Sequence, residues 1–257
     1  MAGRSSIGIY GSGDAVRPAP TQRPRVLGTA LWLDATDSSS IYLNNTRVSL
    51  WEDLSGLSNH AMTDYPWRAP TVLTNGIGSA TALKFDDQFL DLTNKQCMAG
   101  MAGVTFMMAF GLGDMIPLSM PFGNVGTEFD LESVQFGSAL NWEAEVFENI
   151  GSSERMDLGT YQKIGYAKNK NYLLCIAGDT TDITRMYING TQVATWNYGD
   201  GYMDYLWAVG RTHGMGYGTI NWCFTGTIGE IRIYDHRLTT TELDAAHTAM
   251  KSKWGIP

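Results

Sequence analysis

Two stretches hold the residues best equipped for chemistry. Glu143, Glu145 and Glu148 put three carboxylates within six residues. Glycoside hydrolysis uses such acids in pairs, one as nucleophile or base and one as acid, ~5–5.5 Å apart in retaining enzymes. The segment Asn141–Phe147 reads as a strand, and acids on a strand ordinarily face solvent, so no catalytic residue is assigned. The second stretch, Trp196 to Trp222, sets Trp196, Tyr198, Tyr202, Tyr205, Trp207, Tyr217 and Trp222 among glycines. Aromatic faces on loops can stack on sugar rings while nearby polar groups take the hydroxyls. The candidate ligand-binding set is therefore Tyr198, Asp200, Tyr202, Asp204, Tyr217 and Asn221. Two other uses compete for these residues: Trp207 and Trp222 lie near strands and suit a core, and exposed tyrosines suit a protein interface.

Other groups point to structure before chemistry. Asp34 with Asp37, Asp86 with Asp87 and Asp91, and Asp179 with Asp182 could each offer oxygens to calcium, yet none follows a defined ligand-loop spacing. Turn acids and caps account for them, and no metal or other cofactor is assigned. His60, His213, His236 and His247 form no Ser-His-Asp or zinc pattern and are expected to face solvent or to be hydrogen-bonded in place. Cys97, Cys175 and Cys223 are odd in number and far apart, which predicts reduced core thiols. Trp51, Asp53 and Asn59 read as turn architecture.

The elements that would carry these groups are mostly strands. Glycine (29 residues) and aromatics (8 Trp, 12 Tyr, 9 Phe) are plentiful, while charged residues make up 17% of the 257, below the ~25% of an average domain. Short β-like runs fall at Ala30–Asp34, Ala82–Phe85, Phe89–Leu92, Val104–Phe110, Asn141–Phe147, Tyr172–Ala177, Arg185–Ile188, Gln192–Trp196, Leu206–Gly210 and Thr227–Tyr234. Asn189-Gly190 fits a type I′ turn, so the strands flanking it should form a hairpin. One helix is expected over 239–254. Thr239 with Glu242 makes a capping box, Leu238 with Leu243 a hydrophobic staple, and Leu243, Ala246, Met250 and Trp254 an apolar stripe facing the sheet. Lys251 and Lys253 suit its last turn, and Gly255 its end.

Residues 1–25 differ in composition from 26–257. Glycines and prolines alternate there with Arg4, Arg17, Arg23 and Arg25 against Asp14, a net +3 that leaves -11 on the remainder. Such a segment builds no core of its own. It is expected to serve assembly, its four arginines meeting an acidic surface on a neighbouring copy or another protein; folding back on its own domain is the alternative. The net charge of -8 and the absence of a basic run argue against nucleic acid. Met1–Ala15 lacks the apolar core of a signal peptide, and the longest uncharged stretch, Gln96–Gly113, is 18 residues with four glycines, so no membrane span is expected.

Several segments together resemble a known family. Leu31-Trp32-Leu33-Asp34-Ala35, Trp51-Glu52-Asp53-Leu54-Ser55-Gly56 with Asn59-His60-Ala61, Arg68-Ala69-Pro70-Thr71 and Ala82-Leu83-Lys84-Phe85-Asp86 follow the order of concanavalin A-like lectin/glucanase domains of the laminin G-like type. Tyr187-Ile188-Asn189-Gly190 and Phe224-Thr225-Gly226-Thr227-Ile228-Gly229-Glu230-Ile231-Arg232-Ile233-Tyr234-Asp235 continue it. The resemblance implies an all-β, two-sheet antiparallel jelly-roll sandwich over 26–257, with an extended N-terminal arm and a C-terminal helix. Many such domains bind calcium. Glu143-Ala144-Glu145-Val146-Phe147-Glu148 is similar to the signature of laminarinase- and lichenase-type hydrolases, which implies Glu143 as nucleophile and Glu148 as acid/base; Glu145 stands where that signature has Asp. Domains with this arm and start look like structural proteins of tailed bacteriophages. The leading expectation is accordingly a non-enzymatic virion protein, made in the host cytoplasm, that decorates the capsid or joins the tail and touches host glycans. A carbohydrate-binding module is the alternative, and a glycosidase using Glu143 and Glu148 the third.

Overall fold

The computed structural model describes residues 22–95, 97–98, 100–112, 122–123, 133–138, 141–147, 149–150, 154–155, 170–179, 183–197, 208–210 and 224–257; for those within 122–155 and for 183, 184, 194, 196 and 197 it gives the backbone. Nine strands come first: β1 (Thr29–Asp34), β2 (Ile41–Asn44), β3 (Arg47–Trp51), β4 (Ala61–Met62), β5 (Thr71–Ile77), β6 (Ala80–Asp86), β7 (Leu90–Leu92), β8 (Gly103–Leu112) and β9 (Phe122–Gly123). Then follow β10 (Ser133–Ser138), β11 (Asn141–Phe147), β12 (Asn149–Ile150), β13 (Glu154–Arg155), β14 (Asn171–Asp179), β15 (Ile183–Ile188), β16 (Thr191–Asn197), β17 (Ala208–Val209) and β18 (Thr225–Tyr234), with α1 (Thr240–Trp254) last. The fold is all-β, antiparallel and sandwich-like, with one C-terminal helix among the described residues, as the sequence predicts.

Hydrogen bonds connect the strands along one path, β11-β10-β9-β17-β7-β4-β3-β5-β6-β18-β8-β14-β15-β16, with β1 beside β18 and β2 beside β3. The link between β3 and β5 rests on Arg47 opposite Thr71 alone. Around that seam the two halves close on a common core. Leu31, Leu33, Phe85, Phe106, Phe110, Leu174 and Ile231 come from one half and meet Val48, Trp51, Leu90, Leu92 and Val209 from the other. Each large side chain buried this way contributes ~1.5–3 kcal/mol.

β8 and β14 explain why the first half is covered on both faces. They pair from Asn171 opposite Gly111 to Asp179 opposite Gly103. The two-residue period sends Phe106, Met108, Phe110, Leu174 and Ile176 into the common core, and Met107, Ala109, Leu173, Cys175 and Ala177 to the outer face. α1 lies over that outer face through Leu243, Met250 and Trp254. The expected capping box is present, with the Glu242 amide donating to Thr239 Oγ1 and the Thr239 amide to Glu242 Oε2. His247, expected to face solvent or be hydrogen-bonded, is instead buried in the helix stripe; its Nε2 finds no partner among the described residues, and its ring centroid lies 5.4 Å from that of Tyr187.

A carboxylate fastens the end of the helix to the sheet. Glu230, on β18, is fully buried and accepts from Trp32 Nε1 at 2.9 Å, Arg232 Nη2 at 2.6 Å, Lys253 Nζ at 2.7 Å and Trp254 Nε1 at 2.9 Å. Lys253 also donates to Asp34, and Arg232 stacks over the Trp32 ring at 4.2 Å. The Trp254 ring packs so close to Gly229 that a Cβ there would lie 2.4 Å from a ring carbon, and β18 shifts register at this point. The Asn189-Gly190 turn has φ of 52° and 82°, the signs a type I′ hairpin requires, and joins β15 to β16 as expected.

The strands β2–β5, β9, β10, β12 and β13 have no counterpart among the sequence expectations. β5 carries Val72, Leu73, Thr74 and Asn75 all exposed, so it offers none of the alternation that marks a half-buried strand. Cys97 and Cys175 are buried free thiols, and burial pushes Cys97 up to about 12; Cys223 lies outside the described residues. No helix among the described residues is long and apolar enough to cross a membrane.

Candidate functional site

Most of the sequence-predicted site residues fall outside the described residues: Glu148, Tyr198, Asp200, Tyr202, Asp204, Tyr217, Asn221, Arg4 and Arg17. Glu143 and Glu145 lie on β11, with Gln135 of β10 opposite Glu145. The carboxylate pair and the aromatic set therefore lie wholly or partly outside the described residues.

Arg23 and Arg25, proposed from sequence to serve assembly, are engaged within their own chain. Arg23 reaches Glu52 Oε2 at 3.4 Å, Asp37 Oδ2 at 3.2 Å and Ser39 Oγ at 3.1 Å. Arg25 donates to the Thr29 carbonyl and to Asp235 Oδ2 at 3.3 Å, and the Val26 amide bonds the Ser55 carbonyl at 2.8 Å. The acidic surface that meets these two arginines is that of their own domain, so 22–25 pack on it.

Four of the carboxylates considered for calcium are engaged within the chain, and Asp182 lies outside the described residues. Asp34 takes Lys253 and Thr36, Asp37 takes Arg23 and caps a 3₁₀ turn, Asp87 takes Arg68, and Asp179 takes Arg237. Cations already occupy their charge, and no group of three or more candidate ligands forms among the described residues.

Asp53 organises the loop that follows β3. Its carboxylate accepts from the backbone amides of Trp32, Ser55 and Asn59 and from Ser55 Oγ, all within 2.9 Å. Asn59 Nδ2 reaches the Ala30 carbonyl at 2.8 Å, and His60 Nδ1 accepts from the Asp53 amide at 3.0 Å. Burial lowers the His60 pKa, in keeping with a neutral ring that accepts this bond. The predicted turn role of Asp53 and Asn59 is what these bonds perform.

From β4 the chain enters a 3₁₀ turn at Pro66–Arg68. Proline at its start presets φ and has no amide to leave unpaired. The Arg68 amide bonds the Tyr65 carbonyl at 2.8 Å, the Tyr65 amide bonds Thr63 Oγ1 at 3.1 Å, and the Phe89 amide ties the Arg68 carbonyl to the strand side at 3.0 Å. Two large rings project from this rigid base: Tyr65 is 54% exposed and Trp67 65%. Their centroids are 5.9 Å apart, edge to face. The Arg68 guanidinium lies 4.7 Å over the Trp67 ring and is held by Asp87 Oδ2 at 3.2 Å. The result is an exposed aromatic pair in which the Arg68 guanidinium covers one face of Trp67 and Asp87 lies beside it, a set of groups that can stack on the apolar face of a sugar ring and bond its hydroxyls. The sequence directs attention to the aromatics of 196–222 and not to Tyr65-Pro66-Trp67, because nothing in it tells an exposed ring from a core ring.

Neither a protein-family model nor a curated protein sequence matches the chain. Solved structures of similar fold do. The binding domain of Paraclostridial Mosquitocidal Protein 1 is 10% identical with a TM-score of 0.58, over 90% of this chain and 55% of that one. Domain 4 of AbnA, a GH43 extracellular arabinanase from Geobacillus stearothermophilus, in complex with arabinotriose, is 12% identical with a TM-score of 0.52, over 69% and 80%. A mutant of Trypanosoma rangeli sialidase displaying trans-sialidase activity is 13% identical with a TM-score of 0.54, over 87% of this chain and 33% of that one. The chain thus spans about a third of the sialidase and about half of the toxin domain. At such identities the likeness concerns the fold, a lectin-like β-sandwich.

Proposed function

We propose that this chain is a non-catalytic carbohydrate-binding module whose binding surface is the Tyr65–Trp67 platform. One observation carries the reading: a tryptophan 65% exposed on a turn held by four hydrogen bonds in and around it. A large apolar ring is normally buried, and one held rigidly in water is ready to be covered at little entropic cost. Arg68, stacked on one face of Trp67, and Asp87 beside it supply a donor and an acceptor, both of which a sugar hydroxyl can use. Domain 4 of AbnA, of similar fold, has its structure in complex with arabinotriose, and the toxin domain is a binding domain, which supports the reading. Binding of the wild-type chain and of Trp67→Ala to a glycan array tests it. Retention of one or more glycans by the wild type and loss in the variant is expected; equal retention by both, or none by the wild type, would overturn it.

The setting we propose for the module is a bacteriophage particle, with residues 1–21 as tether. The family resemblance and the composition of the arm support this. Particles assembled with a chain lacking 1–21 should lose the module, and normal incorporation would refute the tether.

A further inference from the structure

The outer face of the sheet is sealed by α1 over Met107, Ala109, Leu173 and Cys175, but the helix begins only at Thr240. Next to Ala177 the same face carries polar side chains instead. Arg185 lies opposite Ala177, Tyr187 opposite Cys175, and Gln192 opposite Tyr187, so these residues share the face that α1 covers further along. A cleft of about 720 Å³ opens there, walled by the first turn of α1 and the loop before it. That volume lies within the range of small-ligand sites, ~300–1,000 Å³.

We propose that this cleft is a second binding site, for a neutral sugar of one or two rings. The side chains at its walls carry two positive and two negative charges, Arg185 and Arg237 with Asp179 and Asp244. A phosphate or carboxylate drawn to the arginines would meet both aspartates in the same space. A hydroxyl donates and accepts at once, and so satisfies acid and guanidinium alike. Arg237 Nη1 holds Asp179 Oδ2 at 3.0 Å, and Gln192 Nε2 is braced on Thr195 Oγ1 at 2.7 Å, which fixes the polar groups before a ligand arrives. Leu243 and Ala177 provide apolar surface for the C–H faces of the ring, and Tyr187, backed by His247, provides an aromatic one. The platform belongs to the connection between β4 and β5, so the two sites are separate and one chain would hold two glycan ends. This inference stands on the cleft and not on the platform.

The test titrates the isotope-labelled full chain with the methyl glycosides of glucose, galactose, mannose and N-acetylglucosamine, and with glucose 1-phosphate. At least one neutral glycoside should shift the amide signals of Arg185–Thr195 and Thr240–Asp244 saturably. Gln192→Ala with Asp244→Ala should weaken that binding at least about tenfold; both residues are exposed, so the fold tolerates the change. Trp67→Ala should leave it unaltered. Absence of such shifts with every neutral glycoside, shifts with glucose 1-phosphate alone, or their loss in Trp67→Ala would overturn the proposal. Loss of array binding in Trp67→Ala with these shifts intact separates the two sites.

Discussion

Among the described residues, two arginine-tryptophan-carboxylate clusters share their chemistry and differ in closure. At β1 and β18, Arg232 stacks on Trp32 at 4.2 Å and pairs with Glu230 at 2.6 Å. At the 3₁₀ turn, Arg68 stacks on Trp67 at 4.7 Å and pairs with Asp87 at 3.2 Å. Glu230 is fully buried and takes four donors from three elements, so every interaction it makes holds the fold. Asp87 has a side chain 64% exposed, and Trp67 keeps most of its surface in water. The stack alone does not decide its own use. Whether its carboxylate is saturated from within the chain decides whether the cluster is a clamp or a surface held open for a partner.

Truncating the acid in each cluster breaks the comparison most directly. Glu230→Ala leaves Lys253, Arg232 and two indole N–H groups facing a void, and removing one member of a buried ionic cluster costs about 3–5 kcal/mol. Chemical unfolding should show that loss. Asp87→Ala should change stability by less than about 0.5 kcal/mol, because exposed pairs contribute little. Equal losses would mean that the open cluster is structural as well.

Binding measurements supply the next largest effect. Trp67→Ala should weaken glycan binding by about 2 kcal/mol, roughly thirtyfold, the size found for central tryptophans of interfaces. Its unfolding midpoint should stay where it is, whereas Trp32→Ala should lower stability and spare glycan affinity.

Legibility in the sequence followed the same divide between local and long-range causes. The capping box of α1 and the Asn189-Gly190 hairpin depend on residues three or fewer apart, and both are present as expected. The strand at Gly103–Leu112 announces itself by a continuous apolar run, which burial on two faces requires. Glu230 could not be found this way, since its partners stand 198, 2, 23 and 24 residues distant and only the fold assembles them. β5 is not legible because Val72 and Leu73, consecutive and so on opposite faces, are both apolar and both exposed, which erases the alternation. Trp67 was missed for a different reason: an exposed ring and a core ring look alike in sequence, and only the turn geometry separates them.

Arg23 with Glu52 forms an intermediate case, and it sharpens the comparison. Glu52 has a fully buried side chain, while the Arg23 side chain is 21% exposed and arrives from the N-terminal segment. A chain lacking 1–21 should unfold at the same denaturant concentration as the full chain. One lacking 1–25 leaves the Glu52 carboxylate without Arg23 and should lose about 1–3 kcal/mol, the cost of an unmet buried charge-assisted bond. If both truncations behave alike, Arg23 contributes nothing to closure.

The smallest effect is a pH dependence on the closed side of the molecule. His60 is buried beside Asp53 and Glu52, whose charges favour protonation, and beside Arg23, which opposes it. Burial outweighs the carboxylates and holds the ring below its ordinary value of 6.5. His247 is lowered in the same direction, again chiefly by burial. An unfolded chain therefore binds protons on these rings more readily than the folded one. Their contribution is complete above pH 6.5 and is lost as pH falls below that value toward the depressed folded pKa. Thermal unfolding should decline between about pH 6.5 and 5, ahead of the carboxylates. His60→Asn keeps an acceptor for the Asp53 amide and removes the titration, so its midpoint should fall less steeply across this window. An unchanged slope would show that the Asp53 loop tolerates a charged ring, and its hydrogen bonds would then not require a neutral His60.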